Sequence, residues 1–417
     1  MVPVTCDFRL YAMDIFRYIF LVYWTICLNI RSSSGIFKLD NIFKKYDLNS
    51  DAFLDSVQLL QKYNYPSETH TVITDDGYKL NLYRIPGKGA PVLLVHGIAD
   101  TSDSWLVLGP KYSLAYQLAD AGYDVWLLNA RGNRYSKGHI NNLPSKLYWN
   151  FSYEEIGSHD LPASIDHILY IRNLSQLTYI GFSQGTTAMF VMCSMRPEYN
   201  KKIGHAILLA PVAGLRYLKY PFIRFWSENL SRVMSWAESN RLYEVFPFNV
   251  NFNKFHNTVC DVTSPFRIIC ELEYYKDFGL IPLTNLVPEK LPILTAHLPG
   301  GTSAKVFFHF VQGYSTQKFQ RFDYGKRRNL ELYSSSSPPE YDVSKVDVPM
   351  TIFTSEVDWF SNNKDVQILL SELKTVQNLV YFNESLKFSH LEFVYGSRVN
   401  SLINKPVLNI LKRLPKL

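Results

Sequence analysis

The strongest constraint on this chain is a rhythm of short apolar runs. Residues 92–95, 124–129, 177–181, 206–209, 350–354 and 379–382 are of buried type and are separated by longer helical or loop segments. Runs of that length suit strands covered on both faces. Strands alternating with helices predict an α/β fold with a mostly parallel central sheet flanked by helices. Ahead of the rhythm, residues 55–63 have the spacing of a short amphipathic helix, and residues 70–85 read as a hairpin turning at Asp75, Asp76 and Gly77.

The rhythm lapses between about Leu215 and Leu298. No strand signal occurs there, and Trp226, Trp236, Phe246, Phe248, Phe252, Tyr274 and Phe278 are scattered through helical or irregular sequence. We expect an inserted, mainly helical cap or lid over residues 215–305. The core is then split into an N-terminal part, 35–214, and a C-terminal part, 306–417. With 417 residues, 47% of them hydrophobic, the chain can bury a core of that size.

The first residues read as a leader. Arg9 and Arg17 precede an apolar stretch over 18–28, and Ser32, Ser33, Ser34 and Gly35 supply small residues after it. That order predicts a signal peptide over 1–34, with no transmembrane anchor after cleavage. Export implies an oxidising compartment. Of five cysteines, Cys6 and Cys27 lie in the leader, so Cys193, Cys260 and Cys270 remain. Cys260 and Cys270 flank a short segment containing Pro265 and are the disulfide candidate, whereas Cys193 suits a buried helix position. Acceptor sequons at Asn150, Asn173, Asn229 and Asn383 fit a secreted glycoprotein. The net charge of +6 is spread along the chain without a basic block, so nucleic acid is not an expected partner.

Chemistry enters at Gly181-Phe182-Ser183-Gln184-Gly185, between a strand run and a helical run. Two glycines permit a cramped strand-to-helix turn that thrusts a serine hydroxyl outward, and the helix N-terminus favours a developing anion there. Serine is a weak nucleophile until a histidine, oriented by a carboxylate, takes its proton. In the order Ser, acid, His, the candidates are Ser183 (nucleophile), Asp358 (orienting acid) and His390 (general acid/base), the last two in loops that follow strand runs. Glu356 and Asp365 are the alternative acids. The oxyanion would be held by the backbone amides of Gln184 and Ile98, the latter after His96-Gly97. His96 itself has no neighbouring ligand at a metal spacing, so a structural role is expected, and neither metal nor cofactor is expected.

At these residues the chain resembles the acid lipase family, which contains gastric lipase, lysosomal acid lipase and many insect lipases. The resemblance runs through Leu94-Val95-His96-Gly97-Ile98 and Ser102-Asp103-Ser104-Trp105, through Asn129-Ala130-Arg131-Gly132-Asn133, and through Asp160-Leu161-Pro162-Ala163. It continues in Ser183-Gln184-Gly185-Thr186-Thr187, Pro299-Gly300-Gly301-Thr302-Ser303 and His390-Leu391-Glu392-Phe393. It implies an α/β-hydrolase fold and hydrolysis of neutral-lipid esters, triacylglycerols or cholesteryl esters, at a lipid–water interface beneath a helical cap. It implies a secreted protein, with lysosomal delivery as the alternative. Phe182 stands where the family has His, and Leu298 and Gly300 depart from its pattern. A carboxylesterase acting on shorter soluble esters and a non-catalytic lipid-binding protein on the same scaffold are the other readings.

Overall fold

Most of the apolar runs become strands because each side of the run meets its own core; the last, 379–382, lies on an edge strand and leaves Leu379 and Tyr381 exposed. The computed structural model describes residues 50–220, 222–265, 267, 268, 270 and 285–415. The expected leader, with Cys6 and Cys27, and the aromatics Tyr274 and Phe278 lie outside them. Among the described residues the sheet has nine strands, eight of them in one continuous path: β1 (Glu68–Ile73), β2 (Tyr78–Ile85), β3 (Pro91–Val95), β4 (Asp124–Leu127), β5 (Leu177–Phe182), β6 (Ile203–Leu209), β7 (Met350–Ser355) and β8 (Val376–Phe382). Their spatial order is β1-β2-β4-β3-β5-β6-β7-β8, and the two-residue strand Gly138–His139 pairs with β2. β1 and β2 form an antiparallel hairpin, β2 runs antiparallel to β4, and all pairings from β4 to β8 are parallel.

Side chains alternate across a strand, and here the two sets enter separate cores. Val92, Leu94, Val125, Leu127, Ile180 and Ile207 join one apolar cluster. Leu93, Val95, Trp126, Tyr179, Ala206 and Leu208 join the other. Helices cover both. The helix α1 (Ser56–Lys62), closed at its start by reciprocal bonds between Asp55 and Gln58, and α2 (Leu114–Asp120) bury Leu59, Leu60, Leu114 and Leu118 in the first cluster. α3 (Leu161–Arg172) and α4 (Gln184–Met195) bury Ile165, Ile168, Met189 and Val191 in the second, with Cys193 as a buried free thiol. Among the described residues no helix is long and apolar enough to cross a membrane.

Between β6 and β7 the described residues include the helices α5 (Ile223–Glu228), α6 (Leu230–Ser239), α7 (Val250–Val259), α8 (Leu291–His297) and α9 (Ala304–Thr316). α6 and α9 share a small apolar cluster of Ala237, Val245, Ala304, Phe308 and Phe322. α8 instead contributes Leu291, Ile293, Leu294 and Ala296 to the first sheet cluster. α7 is laced to α8 by Asn253 and Asn257, whose Nδ2 atoms donate to the carbonyls of Ala296 and Pro292 at 2.6 and 2.7 Å. A disulfide joins Cys260 and Cys270. Trp236 and Phe246 are exposed, while Phe252 is buried.

One detail corrects the sequence reading, which found no strand between 215 and 298: Glu244–Val245 pairs antiparallel with Thr302–Ser303. Two residues are too few to leave a period-two signal. β6 also begins at Ile203, ahead of the apolar run, because Gly204 and His205 interrupt the run while remaining on the strand.

Candidate active site

Ser183 sits where β5 turns into α4, at φ 52° and ψ −117°. A residue with a side chain at positive φ is strained and persists only where its surroundings hold it. Here the Ser183 amide donates to the Leu209 carbonyl at 3.0 Å, and the Ser183 carbonyl accepts from the Thr186 amide at 2.8 Å and the Thr186 hydroxyl at 2.7 Å. The glycine two residues on is dictated by contact: a Cβ on Gly185 would lie 2.5 Å from the carbonyl oxygen of Val95. Only glycine lets α4 start so close to β3.

His390 Nε2 lies 2.9 Å from Ser183 Oγ. Its Nδ1 lies 2.8 and 3.1 Å from the two carboxylate oxygens of Asp358. Asp358 is fully buried, and its Oδ1 also accepts from the amides of Phe360 and Ser361 at 2.8 and 2.9 Å. A carboxylate offers only lone pairs, so Nδ1 carries the proton and Nε2 turns a lone pair toward the serine hydroxyl. The imidazole is flanked by Phe182 and Phe360, each ring centroid 5.1 Å away. Glu392, buried and with its carboxyl raised by burial, accepts from the Ser389 amide at 2.7 Å and pairs with Arg398, which pins the backbone just before His390.

The loop after β3 brings Ile98 to the same end of the sheet. Among the described residues, neither the Ile98 amide nor the Gln184 amide donates to another backbone carbonyl. His96 is structural, as expected: its Nε2 accepts from the Ala130 amide at 3.2 Å, so its Nδ1 donates to the Gly97 carbonyl at 2.8 Å. Burial pushes this imidazole down to about 4, which keeps it neutral. Ala99, next to Ile98, holds φ 52°. The Gly300 amide donates to the Ala99 carbonyl at 2.7 Å, and the Arg134 amide to the Gly300 carbonyl at 2.8 Å. Gly300, a departure from the acid lipase pattern, has a steric reason, since a Cβ there would lie 2.4 Å from Thr101 Cγ2.

Behind the loop lie buried charges that sequence reasoning quoted only as parts of strings. Asp103 accepts from Ser56 Oγ at 2.5 Å and Tyr135 Oη at 2.9 Å, and it pairs with His297 Nδ1 at 2.8 Å. Burial opposes ionisation here, but His297 above all, then Arg134 and the Ser56 hydroxyl, hold the Asp103 carboxyl down to about 2. Arg131, fully buried, pairs with Asp160 at 2.7 Å and forks onto both oxygens of Asp76 at 2.6 and 2.9 Å. The Ser102 amide donates to Asn129 Oδ1 at 2.9 Å. Isolated carboxylates carry no periodic signal, so their pairing was invisible in the chain. The expected disulfide partners meet, and Asn150, Asn173 and Asn383 are exposed while Asn229 is half-buried. A surface cleft of about 530 Å³ is lined by residues between Lys137 and Trp149, none of them from the triad or its loops.

Comparison with known proteins follows the same outline. Residues 90–391 match the alpha/beta hydrolase fold, and residues 56–109 match the partial alpha/beta-hydrolase lipase region. Lipase 1 of Drosophila melanogaster is 36% identical over 378 residues, 89% of this chain and 83% of its own length. Gastric triacylglycerol lipase of Rattus norvegicus is 34% identical over 361 residues, 84% of this chain and 89% of its own. Lipase member K of Homo sapiens is 34% identical over 364 residues, 85% of this chain and 89% of its own.

Proposed function

The chain belongs to the lipases of the α/β-hydrolase fold, and from that premise we propose that it is a secreted serine hydrolase of neutral-lipid esters, working through an acyl-enzyme on Ser183. The observation that carries this reading is the 2.9 Å contact from His390 Nε2 to Ser183 Oγ, with Asp358 held against Nδ1. His390 takes the hydroxyl proton as Oγ attacks the ester carbonyl. The tetrahedral oxyanion is met by the Ile98 and Gln184 amides, donors worth about 10²–10³ in rate when well placed. His390 then gives its proton to the departing alcohol. A water, deprotonated by the same imidazole, releases the fatty acid and restores Ser183. Asp358 orients the ring and stabilises it when charged. Triacylglycerols and cholesteryl esters are the substrates this reading names.

The test is to compare the protein with its Ser183→Ala variant on emulsified long-chain triacylglycerol, cholesteryl ester and a short soluble ester, with fluorophosphonate labelling in parallel. Loss of turnover and of labelling in the variant is expected. Unchanged turnover would sink the mechanism, and activity limited to the short ester would leave a carboxylesterase.

A further inference from the structure

The loop bearing Ile98 and the segment bearing His390 come from opposite ends of the chain, yet one hydrogen bond joins them. Tyr395 Oη donates to Asp100 Oδ2 at 2.7 Å across 295 residues of sequence. Tyr395 ends the short helix α10 (Glu392–Tyr395), which starts two residues after His390. Asp100 lies two residues after Ile98, and its other oxygen accepts from the Thr101 amide at 2.7 Å. Both side chains are buried.

Ala99, between Ile98 and Asp100, adopts a left-handed φ of 52°. Such a residue is strained and relaxes unless its neighbours are fixed. Its own carbonyl is fixed by Gly300. The residue after it is fixed by Tyr395 and, through its carbonyl, by Asn133 Nδ2 at 3.4 Å. A buried carboxyl is costly unless it is hydrogen-bonded. Neither proton transfer nor oxyanion binding, as set out above, uses Asp100, so its place in the core calls for another role.

We propose that Asp100 and Tyr395 are positioning residues for ester hydrolysis: their hydrogen bond ties the strained loop that presents the Ile98 amide to the segment that presents the His390 imidazole. The proposal rests on the assignment of Ser183, His390 and Ile98 given above. The two groups must act on one tetrahedral carbon, and a misplacement of about 1 Å can lower the rate by about 10²-fold. The bond therefore bears on the chemical step. Binding of a ground-state ester does not require it.

The experiment uses the full-length secreted protein with a short soluble ester, rates being divided by active sites titrated with a fluorophosphonate. Tyr395→Phe removes only the hydroxyl. It is expected to lower kcat by about tenfold or more, with KM within about twofold and the thermal midpoint little changed. Asp100→Ala should lower kcat at least as far, and the double variant no further than the worse single one, as expected for two ends of one interaction. Asp100→Asn, which keeps an acceptor for Thr101 and a polar group for Tyr395, should recover most of the rate. A Tyr395→Phe protein with wild-type kcat per titrated site overturns the proposal, as does a loss confined to the number of titratable sites. Survival of turnover in Ser183→Ala would overturn the underlying assignment instead, so the two failures are distinct.

Discussion

Asp358 presents its two oxygens unequally to His390: Oδ1, at 3.1 Å from Nδ1, is also held by the amides of Phe360 and Ser361, whereas Oδ2, at 2.8 Å, faces the imidazole more freely. In Asp358→Asn the two amides will keep the amide oxygen at the Oδ1 position, which leaves NH₂ opposite Nδ1. The imidazole must then carry its proton on Nε2, and it can no longer accept from Ser183. We expect kcat to fall by about 10⁴-fold with the fold intact, measured on a soluble ester alongside the circular dichroism spectrum. A fall of less than tenfold would remove Asp358 from the mechanism.

Gly185→Ala places a Cβ 2.5 Å from the Val95 carbonyl, a rigid backbone atom. α4 must then move away from β3, at a cost of about 1–3 kcal/mol. Ser183 will shift with it. The expected result is a lower denaturant midpoint together with slower fluorophosphonate labelling per folded molecule.

The contact between Gly300 and Thr101 predicts a pairwise rescue. Gly300→Ala meets Thr101 Cγ2 at 2.4 Å and should be destabilised by about 1–3 kcal/mol. Thr101→Ser removes that methyl and keeps the hydroxyl that accepts from the Asp103 amide at 3.1 Å. The double variant should recover most of the lost stability in thermal unfolding. Additive losses would show that the clash with the Asp100 backbone dominates.

Asp100 makes stability depend on pH with a defined sign. Burial, reinforced by the nearby Asp103 carboxylate, pushes its carboxyl from 3.8 up to about 7, against the Tyr395 hydroxyl, the Thr101 amide and the Ser104 hydroxyl. A folded pKa above the unfolded one contributes stability that is fully present below pH 3.8 and is lost as pH rises through about 7. Asp100→Asn lacks this loss, so its stability should gain on the wild type between pH 4 and 8, by the order of a few kcal/mol. Unfolding free energies measured at both ends of the window decide it, and a constant difference would refute it.

The four sequons predict a mass loss when the secreted protein is treated with a glycan-removing amidase. Asn150, Asn173 and Asn383 are exposed, and Asn229 is half-buried. Single Asn→Gln changes should each abolish one increment at the exposed positions, read by mass spectrometry.

The elbow around Ser183 was legible because its constraint is local. A strand, two glycines four residues apart and a helix lie within a short span, and each leaves a sign in neighbouring residues. The likeness of 102–105, 129–133 and 160–163 to known strings was visible too, but not its cause. That cause is a set of buried pairs, Asp103 with His297 and Arg131 with Asp160, whose members are far apart in the chain. The Glu244–Val245 strand left no sign because two residues carry no period.

By itself the sequence determined the α/β alternation, the turn at Ser183 and the chain order of acid and histidine, since hydrophobic period, glycine freedom and strand ends are properties of short segments. Only the tertiary structure decided that Tyr395 reaches Asp100, that Gly300 must lack a Cβ beside Thr101, and that Phe182 and Phe360 flank His390. Those contacts depend on how the parallel sheet brings the loops after β3, β5, β7 and β8 together at one end. Contacts between loops set by sheet order have no counterpart in the spacing of residues along the chain.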